Sequence, residues 1–418
     1  MGKGIYECVN CGHREVLDSN EPIIEKGCPV CGGDMVLVSF QAETQGPAFE
    51  VAPPLRPTGP PEALEKKLKE FYSLELEGVE GDVFVFKVRE VLERNFEKVL
   101  GELEKLGYWA ALKRRHGDPT LFVFPAGEIK EDRKWLPWVL LIITIFTTFL
   151  AGYSLSLSYI QTLNDYGLPG IRNPYVNALA FSVSVMAILG THELGHKIAA
   201  AYHGVRATMP YFIPFPNILG TLGAVIRVKS PLPTRDAAVD LGVSGPIAGF
   251  LVAIPVSIIG LRLSVPVPQH LIPPAEQGIS FGENLFFLLI EKYLVTFPKD
   301  SVVFLHPVAI AGWVGILVTF LNLIPAAQLD GGHIARSFLS DRAHRYFTMA
   351  VGLLLVGMSF LWVGWLIWGT LVLFMGSVGN PGALDEVSPI SKKRLALAVL
   401  AVVIFVLSAT PAPLSVSG

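Results

Sequence analysis

The sequence predicts a polytopic α-helical membrane protein, with six to seven spans and a re-entrant loop, behind an N-terminal zinc ribbon and a small α+β module. Three observations carry this. Hydrophobic residues make up 51% of the 418 and the mean hydropathy is +0.49, too apolar for an ordinary soluble chain. Several runs after Trp135 approach the roughly 20 apolar residues that cross a bilayer. All four cysteines lie in the first 31 residues, as two C-x-x-C pairs. The net charge of −3 favours no particular partner. No basic stretch is long or aromatic enough to suggest nucleic-acid binding.

Residues 1–40 read as the ribbon. Cys8-x2-Cys11 and Cys28-x2-Cys31 have the spacing of a four-thiolate structural zinc site, and Gly12 and Gly32 suit tight knuckle turns. A rubredoxin-like iron centre uses the same spacing, and two disulfides are the other alternative. No signal peptide precedes the cysteines, since the first apolar run begins at Trp135. The N-terminus is therefore expected to be cytosolic and reducing, which favours metal. Met35–Val38 reads as a strand.

Residues 41–61 are a proline-rich linker. Residues 62–130 read as a soluble α+β module. Pro61 opens a helix, Val83–Phe86 is a strand, and Phe96, Val99, Leu100, Leu103 and Leu106 repeat at helical spacing. A hairpin over Tyr108–Phe124 turns at Arg115–Pro119. No nucleophile–base grouping occurs there, so the expected role is recognition or spacing.

The membrane domain covers residues 135–410. Lys130, Arg133 and Lys134 precede the first span, about 135–156, so that end is cytosolic by the positive-inside rule. The second span, about 175–201, then runs inward and ends in Thr191-His192-Glu193-Leu194-Gly195-His196. In this H-E-x-x-H motif, positions i and i+4 share a helix face, so two imidazoles can reach one Zn²⁺ while Glu193 serves as general base to its water. A chance match at a helix end is the bland alternative. Ionisable groups within a span are costly and mark function.

Residues 208–230 are apolar but too rich in proline and glycine for a helix. Such backbone survives at membrane depth only where protein or water covers it, so a re-entrant loop or short hairpin beside the metal is expected over 209–226. A third span, about 238–262, carries Gly242, Gly245 and Gly249 for close helix packing. Residues 263–302 form an insertion on the far side, with a possible interfacial helix at 281–293. The fourth span, about 305–325, leads into Asn322-Leu323-Ile324-Pro325 and Leu329-Asp330-Gly331-Gly332. Residues 347–376 fit one long helix or two short ones, and a last span covers about 395–410.

A catalytic zinc needs three protein ligands and one open position. Asp330 is the best third ligand to His192 and His196, because it lies at the same depth and the glycines beside it, Gly331 and Gly332, let the backbone approach. His333 competes for that place, and an aspartate at a helix end is also at home at the interface. His203 and His306 are expected in helix-end or interfacial roles. Asn322 can hydrogen-bond a substrate backbone or a developing oxyanion, or simply join two helices.

Taken together, these motifs resemble the site-2 protease family of intramembrane zinc metalloproteases. The match rests on His192–His196, Asn322–Pro325 leading into Leu329–Gly331, and the intervening Gly220–Ala224 loop. Within the family the chain is similar to the plant plastid gravitropism-deficient and yellow-green type, on Asn173-Pro174-Tyr175, Gly282–Phe286 (with Glu283 inserted) and His306-Pro307. No PDZ or cystathionine-synthase-type domain is visible. The resemblance implies that His192, His196 and Asp330 bind one catalytic zinc and that Glu193 is the base. The expected activity is hydrolysis of peptide bonds in or near transmembrane segments, at the cytosolic side of the bilayer. Gly223 and Ala224 of the loop, with Asn322, are the candidate substrate-binding residues, pairing with an unwound substrate strand. A non-catalytic scaffold or chaperone and a zinc-dependent transporter or sensor are the alternatives. An intact Glu193 speaks against the first, and the scarcity of polar residues along the spans against the second.

Overall fold

The structure is a computed structural model that describes residues 3–8, 14–18, 35–41, 60–127, 132–272 and 278–417. It divides into two units, Met1–Pro57 and Thr58–Gly418.

In the first unit, β1 (Lys3–Cys8), β2 (Arg14–Asp18) and β3 (Met35–Gln41) form an antiparallel sheet in the order β2-β1-β3. Cys8 is the last residue of β1. Cys11, Cys28 and Cys31 lie outside the described residues, as does most of the proline-rich linker.

The second unit opens with α1 (Glu62–Phe71), β4 (Tyr72–Glu80), β5 (Val83–Val91), α2 (Phe96–Lys105), β6 (Tyr108–Arg115) and β7 (Asp118–Pro125). Asn95 caps α2, its Oδ1 accepting from the Lys98 amide at 3.2 Å, which satisfies one donor that the first turn leaves free. The apolar faces of α1 and α2 bury Leu64, Leu68, Phe96, Val99 and Leu103 against Phe84, Phe86 and Leu121. The turn between β6 and β7 is His116-Gly117, both at positive φ, as a two-residue hairpin requires. Strand β4 is an addition to the elements expected from sequence. Its acidic, edge-exposed pattern Tyr72-Ser-Leu-Glu-Leu-Glu lacks the β-branched run that marks a strand.

Among the described residues, three helices are long and apolar enough to cross a membrane: α3 (Leu136–Asp165), α4 (Pro174–Tyr202), and later α5 (Arg235–Leu263). Asn173 caps α4 and Pro174 occupies its first position, a place where the missing N–H costs nothing. Between α4 and α5 the chain forms the hairpin β8 (Tyr211–Pro214) and β9 (Thr221–Val225), then the short β10 (Leu232–Thr234). Gly220 in this hairpin packs on α3, since a Cβ there would meet the Thr147 carbonyl oxygen at 2.4 Å.

The insertion holds β11 (Val265–Pro268), β12 (Gly278–Phe281), the nine-residue helix α6 (Leu285–Tyr293) and β13 (Ser301–Phe304). Next come α7 (Pro307–Asn322), α8 (Asp330–Phe338), α9 (Asp341–Gly357) and α10 (Gly364–Val378). Residues 347–376 are thus two helices, broken at Met358–Val363, and Gly352 and Gly369 let them approach closely. The chain closes with β14 (Ala383–Asp385), α11 (Lys392–Ser408) and β15 (Leu414–Ser417).

The sheet of the α+β module extends beyond it. Its order is β10-β14-β6-β7-β5-β4, so two strands come from the helical domain. Leu384 and Val387 pack on the module's core. Buried polar links reinforce the join. The His203 ring, at the end of α4, bonds Glu97 of α2 at 2.6 Å and Asp240 of α5 at 2.8 Å, and Arg394 of α11 donates to Asp240 at 2.7 Å.

Candidate metal centre

His192, Glu193 and His196 lie on α4, facing protein, with exposures of 4%, 7% and 6%. The i, i+4 spacing puts both imidazoles on one face. Their Nε2 atoms are 3.1 Å apart, and Asp330 Oδ2, at the first position of α8, lies 3.3 Å from each. The three are the one group among the described residues that could hold a metal ion.

The donor set fits zinc. Ligand atoms roughly 2.0–2.1 Å from one tetrahedral Zn²⁺ stand about 3.3 Å from one another, the separation found here. Two imidazoles and a carboxylate also match its preference for nitrogen and oxygen donors. His196 Nδ1 lies 2.8 Å from the Leu241 carbonyl oxygen. Only a protonated Nδ1 can bond there, which leaves the Nε2 lone pair directed at the site.

The floor of this centre is a stripe of glycines on α5. A Cβ at Gly242 would meet the Asp330 carbonyl oxygen at 2.6 Å, one at Gly245 would meet His196 Nε2 at 2.1 Å, and one at Gly249 would meet the His192 Cβ at 3.2 Å. The sequence presents these residues as helix-packing glycines. Each in fact makes room for one member of the histidine–aspartate group. Their i, i+3, i+7 spacing, matched against the two motifs, is the signal that would have found this.

Asn322, near the end of α7, brings its Nδ2 to 3.3 Å from His192 Nε2. It is the one substrate-binding candidate that touches the cluster. Gly223 and Ala224 lie in β9, Gly223 at φ 107° and Ala224 paired with Phe212 of β8. The hairpin ends beside the site, where the main chain at Ile226 lies near the Glu193 carboxylate. His333, the competing ligand, points instead toward Asn380, its Nδ1 3.4 Å from the amide nitrogen. His203 ends α4 and His306 caps α7, as expected. The sequence did not reveal Asn380 and Arg336, which surround the base of α8.

Residues 180–364 match the family model described as Peptidase family M50. That region contains the H-E-x-x-H helix, the hairpin, the glycine stripe and Asp330. Over 246 residues, 57% of this chain and 44% of the relative, the sequence is 32% identical to the probable zinc metalloprotease EGY1, chloroplastic, of Arabidopsis thaliana. It is 27% identical to EGY2 of the same plant over 79% of this chain and 58% of the relative, and 29% identical to EGY1 of Oryza sativa over 71% and 55%. The chain therefore spans about half the length of these curated relatives. The site-2 protease from Methanocaldococcus jannaschii superposes with a TM-score of 0.31 at 18% identity, covering 58% of this chain and 92% of that one, too loosely to carry an argument.

Proposed function

We propose that the chain is a membrane-embedded zinc endopeptidase that hydrolyses peptide bonds in or near transmembrane segments of other proteins. The observation that carries this is the convergence of His192 Nε2, His196 Nε2 and Asp330 Oδ2 at 3.1–3.3 Å, with a buried glutamate adjacent in sequence to one of them. The M50 region and relatives named probable zinc metalloproteases support the same reading.

In this mechanism His192, His196 and Asp330 would hold the zinc. When bound, the metal supplies a Lewis acid that acidifies water and polarises a carbonyl. Glu193 takes the proton from the attacking water and delivers it to the departing amine. Asn322, held against His192, presents its amide N–H to the oxygen on which charge develops. A helical substrate hides its carbonyls in its own hydrogen bonds and must unwind before attack. The edge of β9 away from β8, at Gly223 and Ala224, offers the unwound strand a pairing partner once the Thr221 hydroxyl releases Gly223.

The same reading assigns residues 1–40 as a ribbon holding a second, structural metal through Cys8, Cys11, Cys28 and Cys31. Residues 41–61 are a linker, 62–130 a soluble module and 135–410 the peptidase. Arg133 and Lys134 before α3 support a cytosolic face for the module and the active site.

The test is cleavage of a single-span substrate protein in detergent by wild type and Glu193→Gln, with zinc content measured on both. Product from wild type alone is expected. Equal product from both, or none from either at full zinc occupancy, overturns the reading.

A further inference from the structure

The loop joining α7 to α8 must deliver Asp330 to two histidines on another helix. It does so with Ala327 at φ 54°, the left-handed region that an L side chain enters at a cost. Both main-chain polar groups of Ala327 are held from outside the loop. Its N–H donates to Thr348 Oγ1 of α9 at 3.0 Å, and its carbonyl accepts from Asn380 Nδ2 at 3.1 Å.

Asn380 is 4% exposed and lies on the strap between α10 and β14. The same Nδ2 faces His333 Nδ1 at 3.4 Å, and the Asn380 main-chain oxygen accepts from Arg336 Nε at 3.3 Å. His333 and Arg336 both belong to α8, the helix that Asp330 begins. One residue therefore touches the loop before Asp330 and the helix after it. The far end of the strap is pinned. Asp385 pairs with Leu112 of β6, and Glu386 accepts from Arg336 at 2.6 Å with Lys113 at 3.8 Å. The space beneath is closed as well, since a Cβ at Gly331 would lie 2.1 Å from the Leu323 carbonyl oxygen.

We propose that Asn380 is a positioning residue for Asp330: it holds Ala327 in the left-handed conformation that sets the carboxylate against His192 and His196, from a strap anchored to the soluble module. Asn380 acts through the backbone, so its role is separable from ligation. Without its amide, the Ala327 carbonyl is left buried and unpaired, and the loop is free to leave a conformation that costs an alanine energy. Glycine at 327 carries no such cost. The inference rests on the reading of His192, His196 and Asp330 as metal ligands.

The test measures zinc affinity of the full-length protein by chelator competition, reading the zinc that is lost in His192→Ala. Asn380→Ala is expected to weaken that zinc by about 10- to 100-fold, the usual effect of removing a partner that orients a ligand. Thr348→Val, which deletes one hydroxyl and carries the test should Asn380→Ala fold poorly, is expected to act in the same direction. Ala327→Gly should restore most of the affinity in either background. A wild type that holds no zinc at His192, His196 and Asp330 overturns the ligand reading and this inference with it. Wild-type zinc binding that neither Asn380→Ala nor Thr348→Val weakens overturns the inference alone. So does a weakening that Ala327→Gly leaves unrepaired, because the left-handed residue would then not be what Asn380 and Thr348 control.

Discussion

Gly245 and His196 share one space: a Cβ on the glycine would lie 2.1 Å from the ring nitrogen that faces Asp330. Gly245→Ala must therefore push the ring aside or force α4 and α5 away from each other, at roughly 1–3 kcal/mol for an overpacked site. It is expected to abolish tight zinc binding while helix content by circular dichroism stays at the wild-type level. Gly249→Ala meets His192 at 3.2 Å and should weaken zinc far less. Chelator competition on both variants gives the comparison, and equal losses would contradict the geometry.

Glu193 is buried next to His192 but is not a member of the three-donor cluster. Glu193→Gln keeps the shape and removes the base. Turnover of a single-span substrate should drop by about 10²–10⁴-fold, the range for general acid–base groups, with zinc content unchanged. Loss of zinc along with activity would show that Glu193 supports the metal instead.

Metal analysis of the purified chain should find two ions. Asp330→Asn or His192→Ala should remove one, and Cys28→Ser the other. A chelator that strips only the first should stop proteolysis and leave the N-terminal ion in place. A single ion, lost in Asp330→Asn and retained in Cys28→Ser, would rule out the ribbon.

Ala224→Pro deletes one main-chain donor from β9. If an unwound substrate pairs along this strand, kcat/KM should fall by roughly 2- to 10-fold, the worth of one net hydrogen bond, with zinc content kept. Undiminished cleavage by a variant that retains its zinc would exclude strand pairing there.

The join between module and helices should weaken in alkali. Burial opposes the His203 imidazolium, but hydrogen bonds to Asp240 and Glu97, and the charges of those carboxylates, outweigh it and hold its pKa up at about 9. The groups that face it are Glu97 from α2 and Asp240 from α5, with Arg394 of α11 behind Asp240. Because the folded value lies above the ordinary one of 6.5, the stabilisation is full below about pH 6.5 and is lost as pH rises through 9. The Tm should fall between about pH 6.5 and 9 in wild type. His203→Gln should have a lower Tm at pH 7 and a flatter profile, and a profile parallel to wild type would assign the fall to other groups.

Much of this molecule is legible in its sequence because the signals are local. His192 and His196 are four residues apart, so helical periodicity alone puts them on one face. The ends of α4 follow from Asn173-Pro174 and from the turn at His203-Gly204. The hairpin follows from prolines and glycines that forbid a helix over 209–226. Asp330 stands out as an acid beside glycines just beyond an apolar run.

The remainder depends on residues far apart in the chain. Strand β14 is three residues long, and nothing in Ala383-Leu384-Asp385 marks it as a strand until β6 and β10 lie on either side. The glycines of α5 could be read as packing residues, but their partners, His192, His196 and Asp330, are fixed only when α4, α5 and α8 meet. Ala327 gives no sign of a left-handed backbone, because alanine avoids that region unless Thr348 and Asn380 hold it there. The sequence by itself determined which side chains have the chemistry to bind a metal and move a proton. The tertiary structure decided where the third donor stands, through steric contacts and hydrogen bonds between segments that no local periodicity encodes.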